Sequence, residues 1–351
     1  MKSLFQPLLA RLRARSIPAA RPLVVDPKAL IERTLREAGL LPPATPNPAA
    51  QVDDSVIEGE FRVVDRHTKV ADPGNEPTAS VGTFSAGKFA LGTDARAYKL
   101  FVPAGFSDQR LPLIVMLHGC TQDPDDFARG TRMNLLAQES GALVLYPAQA
   151  QRSNTSRCWN WFQPGDQRRD AGEPALLAAM TRQIMDTHPV DPDRVHVTGL
   201  SAGGAMAAIL GREYPELYAS IGVHSGLPPG AAHDIPSAFA AMKSAPAGSQ
   251  QIPKTPVIVF HGDSDKTVHP QNGEHILGGD GARSTETGAA GRGYTRTLIK
   301  DADGRVRAEH WLVHGAGHAW SGGSSEGSYA DALGPDASRE MLRFFTENRR
   351  G

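Results

Sequence analysis

The segment Gly199–Gly203, with the sequence Gly-Leu-Ser-Ala-Gly, constrains the fold of this chain more than any other stretch. A strand pattern over Arg194–Leu200 precedes its serine, and a helical apolar pattern over Ala202–Tyr214 follows it. A serine between two glycines in a strand–turn–helix context is typical of a nucleophile on a sharp turn, where larger side chains would obstruct the backbone. We therefore predict that Ser201 is a nucleophile and that the N-terminus of the following helix favours a developing oxyanion.

Strand and helix patterns alternate from about residue 81 onward. This alternation predicts an α/β fold with a mostly parallel sheet, helices on both faces, and reactive groups beyond the carboxyl ends of the strands. The other predicted strands are Ala95–Val102, Leu111–Leu117, Ala142–Tyr146, Ser220–His224, Val257–His261, Tyr294–Lys300 and Arg305–His314. The other predicted helices are Thr131–Ser140, Pro174–Thr187 with Asp170 or Glu173 as its N-cap, Gln271–Leu277 and Ala337–Asn348.

The first 80 residues follow a different pattern. Basic residues precede the first acid, Asp26, and apolar residues of Leu4–Leu12 share one helical face, so residues 1–40 are predicted to form amphipathic helices. Residues 41–80 are polar and proline-rich, which predicts a linker or draped segment before a catalytic domain over residues 81–351. A basic helix within residues 1–20 could contact a membrane or a polymer granule; packing on its own domain is the alternative.

Composition and charge exclude several classes of protein. Lys and Arg number 37 against 38 Asp and Glu, and this near-balance argues against a broad surface for nucleic acid. No apolar run reaches the roughly 18 residues that a transmembrane helix needs. Gln6 and Pro7 interrupt the apolar residues near the N-terminus, so no secretory signal is predicted and a cytoplasmic location is favoured.

A serine nucleophile needs a general base and a carboxylate that orients it, and in this architecture the acid precedes the histidine. The strand Val257–His261 runs into a loop with two carboxylates, of which we predict Asp265 as the acid because it lies deeper in the loop; Asp263 is the alternative. His318 is predicted as the base, since its glycine-rich loop follows the last long strand and can bring an imidazole over the nucleophile. The other candidate bases are His261, His269, His275, His310 and His314.

Two backbone amides are expected to hold the oxyanion of a tetrahedral intermediate. One is the amide of Ala202, directly after the nucleophile. The other is the amide of Cys120 in the loop after Leu111–Leu117, where Gly119 lets the backbone approach the substrate. The histidines lack the spacing of a zinc-binding His-Glu-x-x-His motif, so neither a metal nor another cofactor is predicted.

Five motifs follow one another along the chain: His118–Gln122, Cys158–Phe162, Gly199–Gly204, His224–Leu227 and Gly315–Trp320. Together they resemble the poly(3-hydroxybutyrate) depolymerase-type esterases, a family with feruloyl and acetylxylan esterase relatives, over residues 81–350. The resemblance implies an α/β-hydrolase fold and hydrolysis of carboxylic esters. It also implies a catalytic triad of Ser201, Asp265 and His318, with Cys120 and Ala202 as oxyanion donors. Many members of the family are secreted, so the resemblance favours export. The lack of a predicted secretory signal favours the cytoplasm instead.

The same motifs contain candidate substrate-binding residues, namely Trp159, Trp161, Trp320 and His224. The alternative for the first two tryptophans is an ordinary position in the core. A disulfide between Cys120 and Cys158 is left open: it would hold both tryptophans beside the oxyanion hole, whereas a reducing compartment would keep the thiols free. The Ala-, Pro- and Ser-rich segment 228–253 is either a lid or an ordinary loop.

The predicted reaction is two-step acyl transfer on a polyester or a small ester. Oligomers or polymers of 3-hydroxybutyrate are the first substrate hypothesis, and feruloyl or acetylated xylan esters are the second. A serine peptidase on the same fold would share the triad. A non-catalytic protein of the granule surface is the hypothesis from another functional class.

Overall fold

The computed structural model describes residues 82–106, 109–244, 254–278 and 282–350. The predicted helices over residues 1–40 and the predicted linker over residues 41–80 lie outside these ranges. Of the segment predicted to be a lid or a loop, residues 228–244 are described and residues 245–253 are not.

Ten strands of the described residues form one mixed sheet in the order β1-β2-β4-β3-β5-β6-β7-β10-β9-β8. Neighbouring strands from β4 to β10 in this order pair in parallel, whereas the two strands at each edge pair antiparallel. The strands are β1 (Thr83–Leu91), β2 (Asp94–Val102), β3 (Leu111–Leu117), β4 (Leu143–Pro147), β5 (Val190–Leu200), β6 (Ser220–His224), β7 (Val257–Gly262), β8 (Ala282–Ala290), β9 (Arg292–Lys300) and β10 (Val306–Val313). Two short strands, β11 (Trp320–Ser321) and β12 (Ala330–Asp331), pair with each other.

Helices pack on both faces of this sheet. They are α1 (Pro124–Thr131), α2 (Met133–Ser140), α3 (Gly172–Thr187), α4 (Ala202–Glu213), α5 (Ile235–Lys243), α6 (Gln271–Leu277) and α7 (Ala337–Glu347). Along β3, Leu113 and Val115 pack in the cluster that contains α3 and α4, whereas Ile114 and Met116 pack in the cluster that contains α1, α2 and α7. Successive side chains of a strand point to opposite faces, so a continuous apolar run serves both layers. The predicted α/β fold with a mostly parallel sheet is confirmed.

Several elements differ from the sequence-based expectation. The predicted helix Thr131–Ser140 is wrong as a single element, because Arg132 adopts a left-handed conformation (φ 55°) that ends α1 and precedes α2. The edge strands β1 and β8 were not predicted. Edge strands bury only part of their surface, so their sequences lack a long apolar run.

The start of α3 also differs from its predicted capping. The helix begins at Gly172, and neither Asp170 nor Glu173 caps it with a side chain. Instead the Asp166 carboxylate accepts a hydrogen bond of 2.7 Å from the backbone N–H of Glu173. The cap therefore comes from the preceding turn, and the Glu173 side chain is free to face another part of the protein.

A buried carboxylate connects the sheet with the last helix. Glu309 on β10 is fully buried and accepts hydrogen bonds from Arg296 on β9 (2.9 and 3.1 Å) and from Arg343 on α7 (2.7 Å). Trp311 Nε1 donates a further bond of 3.2 Å to the same carboxylate. Loss of one partner of such a group leaves the opposite charges desolvated without full compensation.

We therefore predict that Glu309→Gln lowers the free energy of unfolding by about 3 kcal/mol. The matched control is Glu139→Gln, because Glu139 pairs with Arg339 while both side chains are 61% exposed; an exposed pair contributes about 0–1 kcal/mol. Urea denaturation of both variants measures the difference. Equal stability of the two variants would contradict the assigned role of Glu309.

Candidate active site

Ser201 lies at the turn between β5 and α4, beyond the carboxyl end of a central parallel strand. Its backbone has φ 57° and ψ −119°, a conformation that is costly for a residue with a side chain. The Ser201 N–H donates a hydrogen bond of 2.9 Å to the carbonyl of His224 at the end of β6. Neighbouring structure thus holds the serine in the strained conformation expected of a nucleophile on a sharp turn.

The two glycines of this turn allow it to pack directly on the end of β3. A Cβ atom at Gly199 would lie 2.5 Å from the carbonyl oxygen of Leu117, and one at Gly203 would overlap with the same oxygen. Since real Cβ atoms do not approach oxygen so closely, both positions need glycine for this backbone contact. The contact brings Ser201 and the start of α4 next to the loop that carries Cys120.

Asp265 and His318 are in contact. His318 Nδ1 donates a hydrogen bond of 2.7 Å to Asp265 Oδ2, and the other carboxylate oxygen accepts from the amides of Thr267 (2.8 Å) and Val268 (2.9 Å). Burial opposes ionisation of Asp265, but the neighbouring His318 and the hydrogen bonds from His261 and His318 outweigh it and hold the pKa of this carboxyl well below its usual range. The carboxylate is therefore charged and fixes which ring nitrogen of His318 carries hydrogen.

Asp263, the alternative acid, has different partners. Its carboxylate accepts a hydrogen bond of 2.7 Å from the Gly315 amide and lies 3.1 Å from His314 Nδ1. Its own N–H donates to the Val313 carbonyl (3.1 Å), and the next amide, of Ser264, donates to the Ala316 carbonyl (3.1 Å). These bonds join the loop after β7 to the loop after β10. Asp263 thus sets the distance between the loops that carry Asp265 and His318.

The loop after β3 is held by bonds from Cys120 and from the residues on either side of it. A disulfide joins Cys120 to Cys158, with the sulfur atoms 2.09 Å apart. The Gly119 amide donates to Gln122 Oε1 (3.0 Å), and the Thr121 amide donates to the Ser156 carbonyl (2.7 Å). Gln122 is a support that the sequence did not reveal, because a glutamine in a loop has no pattern that marks it as buried.

Trp159 and Trp161 have little surface for a ligand. Trp159 is fully buried and its Nε1 donates a hydrogen bond of 3.1 Å to the carbonyl of His118, while Trp161 is 6% exposed and packs edge-on against Phe162. Trp159 in particular is an ordinary core residue, which was the alternative to substrate binding for both tryptophans. We therefore revise its predicted contact with substrate: Trp159 supports the loop after β3 through its bond to the His118 carbonyl.

Trp320 and His224 are buried as well, each 1% exposed. Trp320 Nε1 donates to Ser338 Oγ (3.0 Å), and His224 Nε2 accepts a hydrogen bond of 2.9 Å from the Ser321 amide. The two rings also stack on each other with their centroids 5.0 Å apart. This arrangement corrects the prediction that both line a substrate pocket, since their polar atoms and ring faces are already occupied by protein.

Glu173 anchors the loop that contains Cys158. Its buried carboxylate accepts two hydrogen bonds from Asn160, one from the amide (2.7 Å) and one from the side chain (2.9 Å), and a third from Gln149 Nε2. Burial, and then the proximity of Asp166, raises the pKa of Glu173 to about 7. Gln149 also donates to the Cys158 carbonyl (2.9 Å), so the loop is fixed to both α3 and the end of β4.

Both ring nitrogens of His118 are in contact with the protein backbone. Its Nδ1 lies 2.7 Å from the Gly119 carbonyl, and its Nε2 accepts a hydrogen bond of 3.2 Å from the Gln149 amide. Burial lowers the pKa of His118 to about 4, so the ring is neutral at physiological pH. Within the described ranges, no cluster of three or more His, Cys, Asp or Glu side chains is arranged to bind a metal ion, and no helix has the length and hydropathy to cross a membrane.

The family model described as Esterase PHB depolymerase matches residues 96–299, which is more than half of the chain. The chain belongs to this family. The match includes the elements that carry Ser201 and Asp265, whereas His318 lies beyond its last matched residue.

Among curated members and relatives, the chain is similar to poly(3-hydroxyalkanoate) depolymerase C of Paucimonas lemoignei, with 32% identity over 65% of this chain and 60% of that protein. It is also similar to the poly(3-hydroxybutyrate) depolymerase of Ralstonia pickettii (31% identity; 63% and 50% covered) and to feruloyl esterase B of Neurospora crassa (25% identity; 66% and 82% covered). The chain therefore spans only 50–60% of the length of the two depolymerases.

Solved structures identify the fold. An acetyl xylan esterase from Aspergillus awamori matches with a TM-score of 0.59 and 18% identity, over 75% of this chain and 99% of that one. An S-formylglutathione hydrolase from Agrobacterium tumefaciens matches with a TM-score of 0.51 and 15% identity, over 78% and 98% of the two chains. Likeness at such low identity concerns the fold alone, and it confirms the predicted α/β-hydrolase fold.

The disulfide gives a prediction for stability and activity. Its two cysteines are 38 residues apart in sequence, so the loop-closure model predicts that Cys158→Ser lowers the free energy of unfolding by about 4 kcal/mol. Ester turnover is expected to fall as well, because Cys120 then loses one of the bonds that hold its loop. Thermal unfolding and initial rates measure the two effects.

Treatment with a reductant provides the control for this variant. The reductant should lower the melting temperature of the wild-type protein toward that of Cys158→Ser and leave the variant itself unchanged. A wild-type protein with the same melting temperature and turnover before and after reduction would contradict a supporting role for the bridge.

Proposed function

We propose that the protein hydrolyses carboxylic esters through an acyl-enzyme formed on Ser201. The observation that carries the proposal is the 2.7 Å hydrogen bond from His318 Nδ1 to the buried Asp265 carboxylate, in a fold whose strained turn presents Ser201. Membership of the Esterase PHB depolymerase family supports the same chemistry. A histidine oriented by a carboxylate is the general base that a serine hydroxyl requires.

In the proposed first step, His318 Nε2 takes the proton from Ser201 as its Oγ attacks the ester carbonyl. Asp265 keeps the imidazole in the required tautomer and stabilises the imidazolium that forms. The amides of Ala202 and Cys120 hold the oxyanion, and each such donor contributes about 3–4 kcal/mol to transition-state stabilisation. His318 then protonates the leaving alcohol, and water repeats the attack on the acyl-enzyme to release the acid.

The proposed substrates are oligomers or polymers of 3-hydroxy acids such as 3-hydroxybutyrate. This choice rests on the names of the two depolymerases to which the chain is similar. The second candidate is a feruloyl or acetylated xylan ester. It is supported by the similarity to feruloyl esterase B and to acetylxylan esterase A of Talaromyces purpureogenus, which is 27% identical over 46% of this chain. We further propose that residues 1–20 contact the polymer granule.

The nucleophile is tested with Ser201→Ala and a fluorophosphonate probe. We expect the wild-type protein to be labelled and the variant to remain unlabelled, with turnover of a p-nitrophenyl ester lowered by about 10⁴-fold or more. Thermal unfolding serves as the control for an intact fold. Turnover by a folded Ser201→Ala at the wild-type rate would overturn the proposal, and an unlabelled, inactive wild-type protein would favour a non-catalytic granule protein.

The substrate class is tested by initial rates on amorphous 3-hydroxybutyrate oligomers, methyl ferulate, acetylated xylan and a peptide p-nitroanilide, with Ser201→Ala as the blank. We expect the oligomers to be cleaved fastest. Faster release of ferulate or acetate would make the protein a plant-polymer esterase. Preferential cleavage of the anilide would make it a peptidase.

The granule contact is tested by the rate of hydrolysis on granules before and after deletion of residues 1–20. The contact predicts that the deletion lowers the rate on granules and leaves the rate on soluble oligomers unchanged.

A further inference from the structure

His261 is a buried residue near the carboxyl end of β7 that the proposed mechanism does not use. Its Nε2 lies 2.9 Å from the carbonyl oxygen of Val268 and 3.4 Å from Asp265 Oδ2, and its side chain is fully buried. The imidazole therefore touches the turn that carries Asp265 at two points. It approaches the carboxylate at the same oxygen that receives His318 Nδ1.

The partners of the ring determine where its hydrogen is. A backbone carbonyl only accepts hydrogen bonds, so the short contact with Val268 requires that His261 Nε2 carries the hydrogen. Within the described residues, His261 Nδ1 is buried without a hydrogen-bonding partner. The N–H of Nε2 is directed to the Val268 carbonyl, and Asp265 Oδ2 lies 3.4 Å from the same nitrogen.

We propose that His261 is a positioning residue that holds the Asp265 carboxylate in the orientation in which it accepts the hydrogen bond from His318. The inference rests on the proposed function, since it assigns a role within the same triad. Asp265 Oδ1 is fixed by the amides of Thr267 and Val268. His261 fixes Oδ2 from a second direction, and through the Val268 carbonyl it also holds the residue that donates one of those two amides.

The two histidines that neighbour His261 on the adjacent strands do not change their charge in the pH range of the assay. His224 on β6 and His310 on β10 are the neighbouring titratable groups, together with Asp265 and His318 on the two loops. Burial, followed by the proximity of His261, lowers the pKa of His310 to about 3 and holds the pKa of His224 well below its usual range. Both rings are neutral over the range in which an esterase is assayed, so a change in the pH profile reports on Asp265 and His318.

The backbone of α6 packs close to the imidazole at Gly273. A Cβ atom at Gly273 would lie 3.0 Å from His261 Nδ1 and 3.1 Å from His310 Nε2. These distances are tighter than most real Cβ contacts, so the helix backbone packs closely against both rings. His310 is therefore a matched control: it is buried in the same cluster, but its partners do not include Asp265.

The test compares His261→Leu, His261→Gln and His261→Asn with His310→Leu. We expect His261→Leu to lower kcat/KM by about tenfold, mainly through kcat, because the carboxylate loses a hydrogen bond from a donor. The acid limb of the profile of kcat/KM against pH should move to lower pH by about half a unit, since a carboxylate that is no longer held toward His318 stabilises its imidazolium less. His310→Leu should leave the acid limb where it is.

The two amide variants keep the proposal testable where His261→Leu does not fold. A glutamine can place its N–H near the position of Nε2, whereas an asparagine places it near Nδ1, away from Asp265. We expect His261→Gln to restore most of the rate and the wild-type acid limb, and His261→Asn to behave like the leucine variant. Melting temperatures of all variants show which of them are folded.

The proposal is overturned when His261→Leu and His310→Leu lower the rate equally without moving the acid limb, or when glutamine is no better than asparagine. Ser201→Ala is assayed in parallel to separate the two levels of inference. An active Ser201→Ala contradicts the proposed function itself. An inactive Ser201→Ala together with a wild-type pH profile for His261→Leu contradicts only the role of His261.

Discussion

The packing of the Gly199–Gly203 turn on the end of β3 is the contact on which the candidate site depends. Without side chains at either glycine, the turn reaches the Leu117 carbonyl directly, and the loop that follows Leu117 begins beside Ser201. The same approach fixes the start of α4, whose first amide belongs to Ala202. One close backbone contact thus brings together the candidate nucleophile and two candidate oxyanion donors from segments that are about 80 residues apart in sequence.

The remaining groups are held by carboxylates that collect hydrogen bonds from neighbouring loops. Asp265 binds two amides and His318, Asp263 binds an amide and His314, and Glu173 binds Asn160 and Gln149. Hydrogen bonds to a charged acceptor such as Asp263 or Asp265 are stronger than those between neutral groups, so a few of them can fix loops that have little apolar surface of their own. The carboxyl edge of the sheet is rigid, and these carboxylates hold the loops that follow its strands in fixed positions.

The sequence predicts those parts of the molecule whose signal is local. The apolar run of β3, the glycines around Ser201 and the glycine-rich loop of His318 each follow from a few adjacent residues. The edge strand β8 has no such signal, because its polar sequence pairs with β9 on one side only. The orientation of Trp159 is not local either: whether an indole faces substrate or the carbonyl of His118 depends on a loop 40 residues away.

The difference between the two aspartates after β7 shows most clearly what a sequence leaves open. Asp263 and Asp265 lie in the same loop, and either could follow the pattern of an acid between the nucleophile and the base. They are distinguished by the loop after β10, which offers the Gly315 amide to one and the His318 ring to the other. A bond from His314 further fixes the first of them at the rim, where it is exposed, while Asp265 is buried beneath His318. The roles of the two carboxylates are therefore set by how two loops, about 50 residues apart in sequence, are aligned with each other. This alignment exists only once β7 and β10 pair in the sheet.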